Sequence, residues 1–370
     1  MCRWRRESGC VPSRRPRLAG GWLERVMRAK AAGVSEAEAS SGAGPVGGGG
    51  GSVSSAGVAG GRRFAGRDRL AGLVREVFGP GTRLDGVERL RGGTRKGVYR
   101  LTFGRGPGAV LYSWAVEENF WGDEGGPSGL QTFLAAHQEF SALGVRVPRL
   151  LFADGSGRHY PGEVAVVEDV RGGTLEERLR RNDLRGLSPL AAYLETMAGR
   201  RSAGLGRVGQ VEAGVCPDVV LGWAVKDLAE AAGRVEAIRR ERDAFEELLR
   251  EMAAGVEPRT EHALIHGELG PDHVLMDDGG EPVLIDIDGA KFFDVEWEHV
   301  FLRLRFGEHY PRLRIEGLDE ARMRFYRLAQ SLALVAGPLR LLDGDFPDRE
   351  AMMAIVRHHI GQALGFVRGG

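Results

Sequence analysis

"ALIHGELGPDHVLMDDGGEPVLIDIDG" (residues 263–289) is the stretch on which the fold of this chain turns. A short apolar run ends at His266-Gly267. A polar loop closed by Gly270-Pro271 follows, and "VLM" resumes the apolar pattern. A second apolar run, "VLIDID", delivers Asp286 eighteen positions beyond Glu268. A carboxylate on a loop and another at the end of a neighbouring strand can converge on one point. Such a pair suits phosphoryl transfer: one carboxylate accepts the proton of the attacking hydroxyl, and the other holds Mg²⁺ against the phosphates.

Upstream of this segment the pattern is strand-rich. "GVERLRGG", "GVYRLTF" and "GAVLYSW" read as strands, the last two joined as an antiparallel hairpin through the turn-rich "GRGPG". A helix is expected before them at "RDRLAGLVREVFG" and another over about 128–143; "VRVPRLLFA" and the strand "EVAVVEDV" come next. Beyond Gly172 helical periodicity dominates, over about 188–203, 219–253, 294–306, 319–335 and 347–367, broken only by the opening segment. A strand-rich half followed by a helix-rich half predicts an α+β fold in two lobes, with a cleft between them.

The chain has 370 residues, enough for two lobes with separate cores, and its 42% hydrophobic and 28% charged content is that of a soluble globular protein. A formal net charge of zero gives no global pull toward nucleic acid or anionic membrane. Cys2, Cys10 and Cys216 form no disulfide framework, and no run is long and apolar enough for a membrane span, so a cytoplasmic protein is expected. Residues 1–66 differ in composition: "GAGPVGGGGGSVSSAGVAGG" is linker-like, and the stretch before it is rich in arginine. That predicts a disordered tail, with residues 67–170 forming the first lobe and 171–370 the second.

Taken together, the opening segment resembles the aminoglycoside phosphotransferase/choline kinase family, relatives of protein kinases, whose pattern is H-G-D-x-x-x-x-N followed by a strand ending I-D. His266, Gly267, Leu269, Pro271, Val274, Leu275, Ile285 and Asp286 match it in order. "FFDVEWEHV" is similar to the family's next acidic motif, with Asp294 and Glu298 on its two acidic positions. The resemblance implies a kinase-like two-lobed fold and ATP-dependent phosphoryl transfer to a hydroxyl of a small polar molecule, with Mg²⁺, or alternatively Mn²⁺, as cofactor. It implies His266, Glu268 and Asp286 as catalytic residues, Asp286 and His273 as metal ligands, and Asp294 as a brace under the catalytic loop; simple helix capping is the other reading of Asp294.

Two letters depart from the pattern. Glu268 replaces an aspartate and reaches one methylene further, about 1 Å, a displacement that can cost roughly a hundredfold in rate. His273 replaces an asparagine; imidazole is a poor Mg²⁺ ligand, and a hydrogen bond across the loop is its other reading. "RLRGGTRKGVYRLTF" (89–103) resembles the glycine-rich turn that covers nucleotide phosphates, with Gly92 and Gly93 allowing close backbone approach. The following strand lacks the family's lysine and carries Tyr112 and Trp114 instead. Lys96, in the turn, is either its replacement, as in the with-no-lysine kinases, or a solvated turn cation; Glu139 is its expected acidic partner. Glu168, Asp169 and Val170 correspond to the hinge whose backbone meets adenine. The departures also leave room for a catalytically lapsed member that binds a nucleotide or metabolite and acts through a partner.

Overall fold

The computed structural model describes residues 62, 64–90, 93–122 and 129–369. Residues 1–61, which make up most of the expected tail, lie outside the described residues, as does Gly92 of the glycine-rich turn. Packing begins upstream of Arg67: the Arg62 guanidinium donates to Asp345 at 2.6 Å and to the Glu117 carbonyl at 2.8 Å, and Phe64 lies under Arg89.

The N-terminal lobe is an antiparallel sheet of β1 (Leu84–Arg89), β2 (Gly97–Phe103), β3 (Ala109–Ser113), β4 (Leu150–Asp154) and β5 (Val164–Glu168), ordered β1-β2-β3-β5-β4. The expected hairpin is present, pairing Gly97 with Ser113 through to Leu101 with Ala109. Alternation along the strands divides the sheet into two apolar faces. Tyr99, Leu101, Leu111, Val164 and Val166 bury against α1 (Arg67–Phe78) through Leu70, Leu73 and Val74. Val110, Tyr112, Ala165 and Val167 face the other way, with Phe133, Ala136 and Phe140 of α2 (Leu130–Ala142), and that core runs on into the second lobe.

The second lobe opens with α3 (Leu175–Arg180). The Thr174 hydroxyl caps it by accepting the Glu177 N–H at 3.1 Å, and the Glu177 carboxylate accepts the Thr174 N–H in return. Helices α4 (Leu187–Gly199), α5 (Cys216–Arg234), α6 (Glu236–Arg240), α7 (Arg242–Ala254), α8 (Val295–Phe306), α9 (Glu320–Leu341) and α10 (Arg349–Arg368) follow. The single helix expected over 219–253 is three helices, because Val235 adopts an extended conformation and ends the first of them.

Helix does not dominate this lobe as fully as expected. A second five-stranded sheet, ordered β6-β9-β12-β7-β8, joins β6 (Arg201–Ser202), β7 (Leu205–Arg207), β8 (Gln210–Glu212), β9 (His262–Ile265) and β12 (Lys291–Phe293). Its strands are too short for a two-residue period to show, and its defining pairs, such as Lys291 with Arg207, are distant in the chain. Between β9 and β12 lies the hairpin β10 (Val274–Met276) and β11 (Pro282–Leu284). Among the described residues no helix is long and apolar enough to cross a membrane.

Helices α8 and α9 are joined by a buried ionic network. Asp294 accepts from Arg322 and from the Tyr326 hydroxyl (2.5 Å), and Glu296 forms a two-pronged pair with Arg259 at 2.6 and 2.8 Å. Arg322 also donates to the Glu257 carbonyl at 2.6 Å. Removing one partner of such a pair leaves a dry, uncompensated charge. Arg322→Ala should therefore cost about 3–5 kcal/mol in urea unfolding. A loss below about 1 kcal/mol would show that Arg259, 3.6 Å from Asp294, neutralises the carboxylate alone.

Candidate active site

Strand β9 ends at Ile265 and hands the chain to His266, which is fully buried. His266 Nε2–H donates to the Ile285 carbonyl at 2.9 Å, tying the loop to the strand that carries Asp286. Gly267 turns the loop at φ 100°, a left-handed conformation that favours glycine. The amides of Gly267 and Leu269 both donate to the Glu298 carboxylate, at 2.6 and 3.0 Å. Glu298, on α8, is therefore the brace beneath the loop. The expectation for Asp294 is corrected on both counts: Arg322 and Tyr326 occupy its carboxylate, and it makes no side-chain cap to α8. The two acids lie one turn apart and are equally buried.

Between the two braced amides, Glu268 turns outward and is exposed. A Cβ on Gly289 would lie 3.7 Å from its Oε1, so the carboxylate stands over the Asp288-Gly289 turn. Arg95, Arg207 and Lys291 all feel its charge. Burial pushes each of these three cations below its usual value; for Arg95 and Lys291 the nearby Arg207 adds to the effect.

Asp286 has φ 61° and ψ 39°, one of two non-glycine residues with positive φ among the described residues. A side-chain-bearing residue pays for this conformation, and such strain collects at functional sites. The twist aims the carboxylate at Lys96, whose Nζ lies 2.5 Å from Asp286 Oδ1 and also donates to Asp288. Lys96 is buried and packs over the Tyr112 ring at 5.5 Å, so the aromatic residue in the strand supports the lysine delivered from the turn. Burial alone would favour a neutral amine. The two carboxylates outweigh it and raise Lys96 well above the usual lysine value; the same ammonium holds Asp286 below the usual carboxylate range against the opposing effect of burial.

Gly93 allows this turn, since a Cβ there would strike the Lys96 carbonyl at 2.2 Å. The expected pairing of Lys96 with Glu139 is corrected. Glu139 lies on α2 and accepts from Arg200 at 2.6 Å, because Asp286 and Asp288 already take the ammonium. The buried N-lobe carboxylate is instead Glu118, which accepts from Tyr99 and Arg89.

His273 stacks on His266 with ring centroids 5.8 Å apart, and its Nε2 lies 3.7 Å from Asp286 Oδ2 and 3.9 Å from Asp272 Oδ2. Its Nδ1 is buried with no hydrogen-bond partner. Backbone bonds from Ile285 N to the His273 carbonyl and from His273 N to the Gly270 carbonyl, both 3.0 Å, hold its place beside Asp286. Oxygen and imidazole nitrogen converging in this way suit a divalent cation, the oxygen favouring Mg²⁺ and the nitrogen tolerating Mn²⁺. Cys216, His262 and Asp294 form another cluster of potential ligands, but Cys216 already contacts His262 Nδ1 (3.3 Å) and Arg322 neutralises Asp294.

At the lobe junction the Glu168 N–H donates to the Arg149 carbonyl at 3.0 Å, and the Glu168 side chain accepts from the Arg149 amide at 3.1 Å. Asp169 is held between Arg100 (3.1 Å) and Arg171 (2.7 Å). Val170 is half-buried on the same segment. Three site features escaped sequence reading. Arg207 sits on an unanticipated strand, Lys291 lies on the short β12, and the resemblance put Glu298 on an acidic position without giving it the role of brace.

The model of the phosphotransferase enzyme family matches residues 122–333. No curated protein matches the sequence. Among solved structures, the chain is similar to a thermostable mutant of aminoglycoside phosphotransferase APH(4)-Ia in ternary complex with ADP and hygromycin B. Identity is 17%, covering 80% of this chain and 99% of that one, at a TM-score of 0.55. Spectinomycin phosphotransferase APH(9)-Ia with ADP and spectinomycin is similar at 10% identity, 80% and 97% coverage and TM-score 0.57. Choline kinase LicA from Streptococcus pneumoniae is similar at 14% identity, with the same coverage and TM-score. These likenesses establish the kinase-like fold.

The Glu298 brace has a measurable signature. Glu298→Ala strands two buried amides and should cost about 2–4 kcal/mol in unfolding free energy. It should also speed hydrogen exchange at Gly267 and Leu269; unchanged exchange at both would mean that another acceptor holds the loop.

Proposed function

This chain belongs to the phosphotransferase enzyme family, and we propose from that premise that it transfers the γ-phosphoryl group of ATP to a hydroxyl of a small polar molecule. The observation that carries the reading is Lys96. Carried in from the glycine-rich turn, it lies beside the two carboxylates at the end of the Asp286 strand, where a cation can meet nucleotide phosphates. Glu268, exposed over the Asp288-Gly289 turn, is placed to accept the proton of the acceptor hydroxyl as that oxygen attacks. His266 holds the loop in place through Ile285 and is a positioning residue. Asp286, with His273 beside it, would hold the divalent cation, which supplies neutralising charge on the phosphates.

Gly93 lets the turn backbone close over the phosphates, and Gly92 belongs to the same turn in sequence. At the hinge, the Glu168 N–H is already bonded within the sheet, so adenine recognition falls to the backbone of Asp169 and Val170. The structural neighbours crystallised with ADP support the use of a nucleotide, and their hygromycin B and spectinomycin support a small polar acceptor. A cytoplasmic setting, with its ATP and Mg²⁺, suits such a reaction.

The test is ATP turnover across a panel of small alcohols with Mg²⁺ and Mn²⁺. Glu268→Gln should lower kcat by about 10²-fold or more, and Asp286→Asn and Lys96→Ala should abolish measurable turnover. Full activity in both carboxylate variants would exclude these roles. ATP-induced stabilisation without turnover on any acceptor or metal would instead identify the lapsed, nucleotide-binding member of the family.

A further inference from the structure

A cavity of about 450 Å³ opens between α8, α9 and α10 and shares no residue with the catalytic cleft. Its size falls in the roughly 300–1,000 Å³ range of small-molecule sites. Val300, Leu304, Met323 and Leu334 supply apolar wall. Arg303, Arg324 and Arg327 gather at its exposed side, and none has a carboxylate within ion-pair distance among the described residues. Arg327 lies over the Phe366 ring at 4.7 Å, and burial together with Arg303 and Arg324 lowers its pKa from the usual arginine value. Glu320, the one carboxylate in the described lining, is held by Arg314 at 3.0 Å.

The inner side is polar and under-satisfied. Gln330, 2% exposed, donates its amide N–H to the Trp297 carbonyl at 2.9 Å, but its Oε1 has no hydrogen-bond partner. His359, 4% exposed, leaves Nδ1 without a partner, and burial pushes its pKa down to about 3, so the ring is neutral. Three unneutralised guanidiniums beside an apolar wall define the charge and polarity of the occupant.

We propose that this cavity is a binding site for a small organic anion: a carboxylate or phosphate head facing Arg303, Arg324 and Arg327, and an apolar body against Val300, Leu304, Met323 and Leu334. The proposal rests on the cavity and its lining alone and is independent of the catalytic reading. Because α8 both lines this cavity and carries Glu298, occupancy here would touch the helix that braces the catalytic loop.

Calorimetric titration of the full chain at low ionic strength tests it with 4-hydroxyphenylacetate, its amide and tyramine, which present one hydroxylated ring with three head-group charges. The expected result is saturable one-to-one binding of the acid, affinity at least about tenfold weaker for the amide, and no binding of tyramine. Phenyl phosphate, run alongside, distinguishes a phosphate from a carboxylate head. Arg324→Gln and Arg327→Gln change exposed positions and should leave the thermal midpoint and ATP binding unchanged while weakening the acid about tenfold each. The proposal fails if neither anion saturates, if acid and amine bind alike, or if neither arginine substitution changes the affinity.

Discussion

The ammonium of Lys96 between Asp286 and Asp288 is the interaction around which the two lobes are organised. Two carboxylates at adjacent corners of one turn repel each other, and burial magnifies that repulsion. A single cation from the other lobe relieves it, at the cost of desolvating its own charge. The turn at Gly93 must therefore be tight enough to bring Lys96 inward, and Tyr112 must present a ring on which its stem can lie. The left-handed backbone at Asp286 is compatible with the same constraint, since it swings the carboxylate toward the N-terminal lobe.

Much of this was readable from residue order alone, for identifiable reasons. Strands β3 and β5 read as continuous apolar runs because each buries both faces against different helices, β2 alternates, and Thr174 with Glu177 announces a helix start through local hydrogen bonds. The spacing from His266 to Asp286 survives because the hairpin between them is short and closed by its own backbone pairing. What could not be read was set by distant partners. Strands of two to four residues, such as β6 and β12, carry no period of their own and exist only through pairing with distant strands, β6 with β9 and β12 with both β9 and β7.

The two misassigned carboxylates teach the same lesson at the level of single side chains. Glu139 has the helical position expected of a lysine partner, yet its neighbour in space is Arg200, brought there by the packing of α4. Asp294 and Glu298 are interchangeable by spacing on one helix face. The difference between them is Arg322 and Tyr326, which reach Asp294 from α9 and both bond its Oδ2. Acid–base assignments inside a fold depend on which cations arrive from elsewhere, and this chain, with only four lysines, leaves most of that work to arginine.

The crossing from β5 to α3 carries a mechanical implication. A Cβ on Gly172 would strike the Met276 carbonyl at 2.0 Å, the Met276 N–H donates to the Gly173 carbonyl at 2.9 Å, and Thr174 bridges Leu275. The linker is thus stitched to β10 and moves with the larger lobe. Any rocking of the sheet away from the helices must pivot ahead of Gly172. The far edge, where Arg62 meets Asp345 and the Phe120 ring meets Phe346 at 5.3 Å, would act as a latch rather than an axle. Surface contacts of that kind are worth about 1 kcal/mol or less, so the jaw is hinged firmly on one side and clasped lightly on the other.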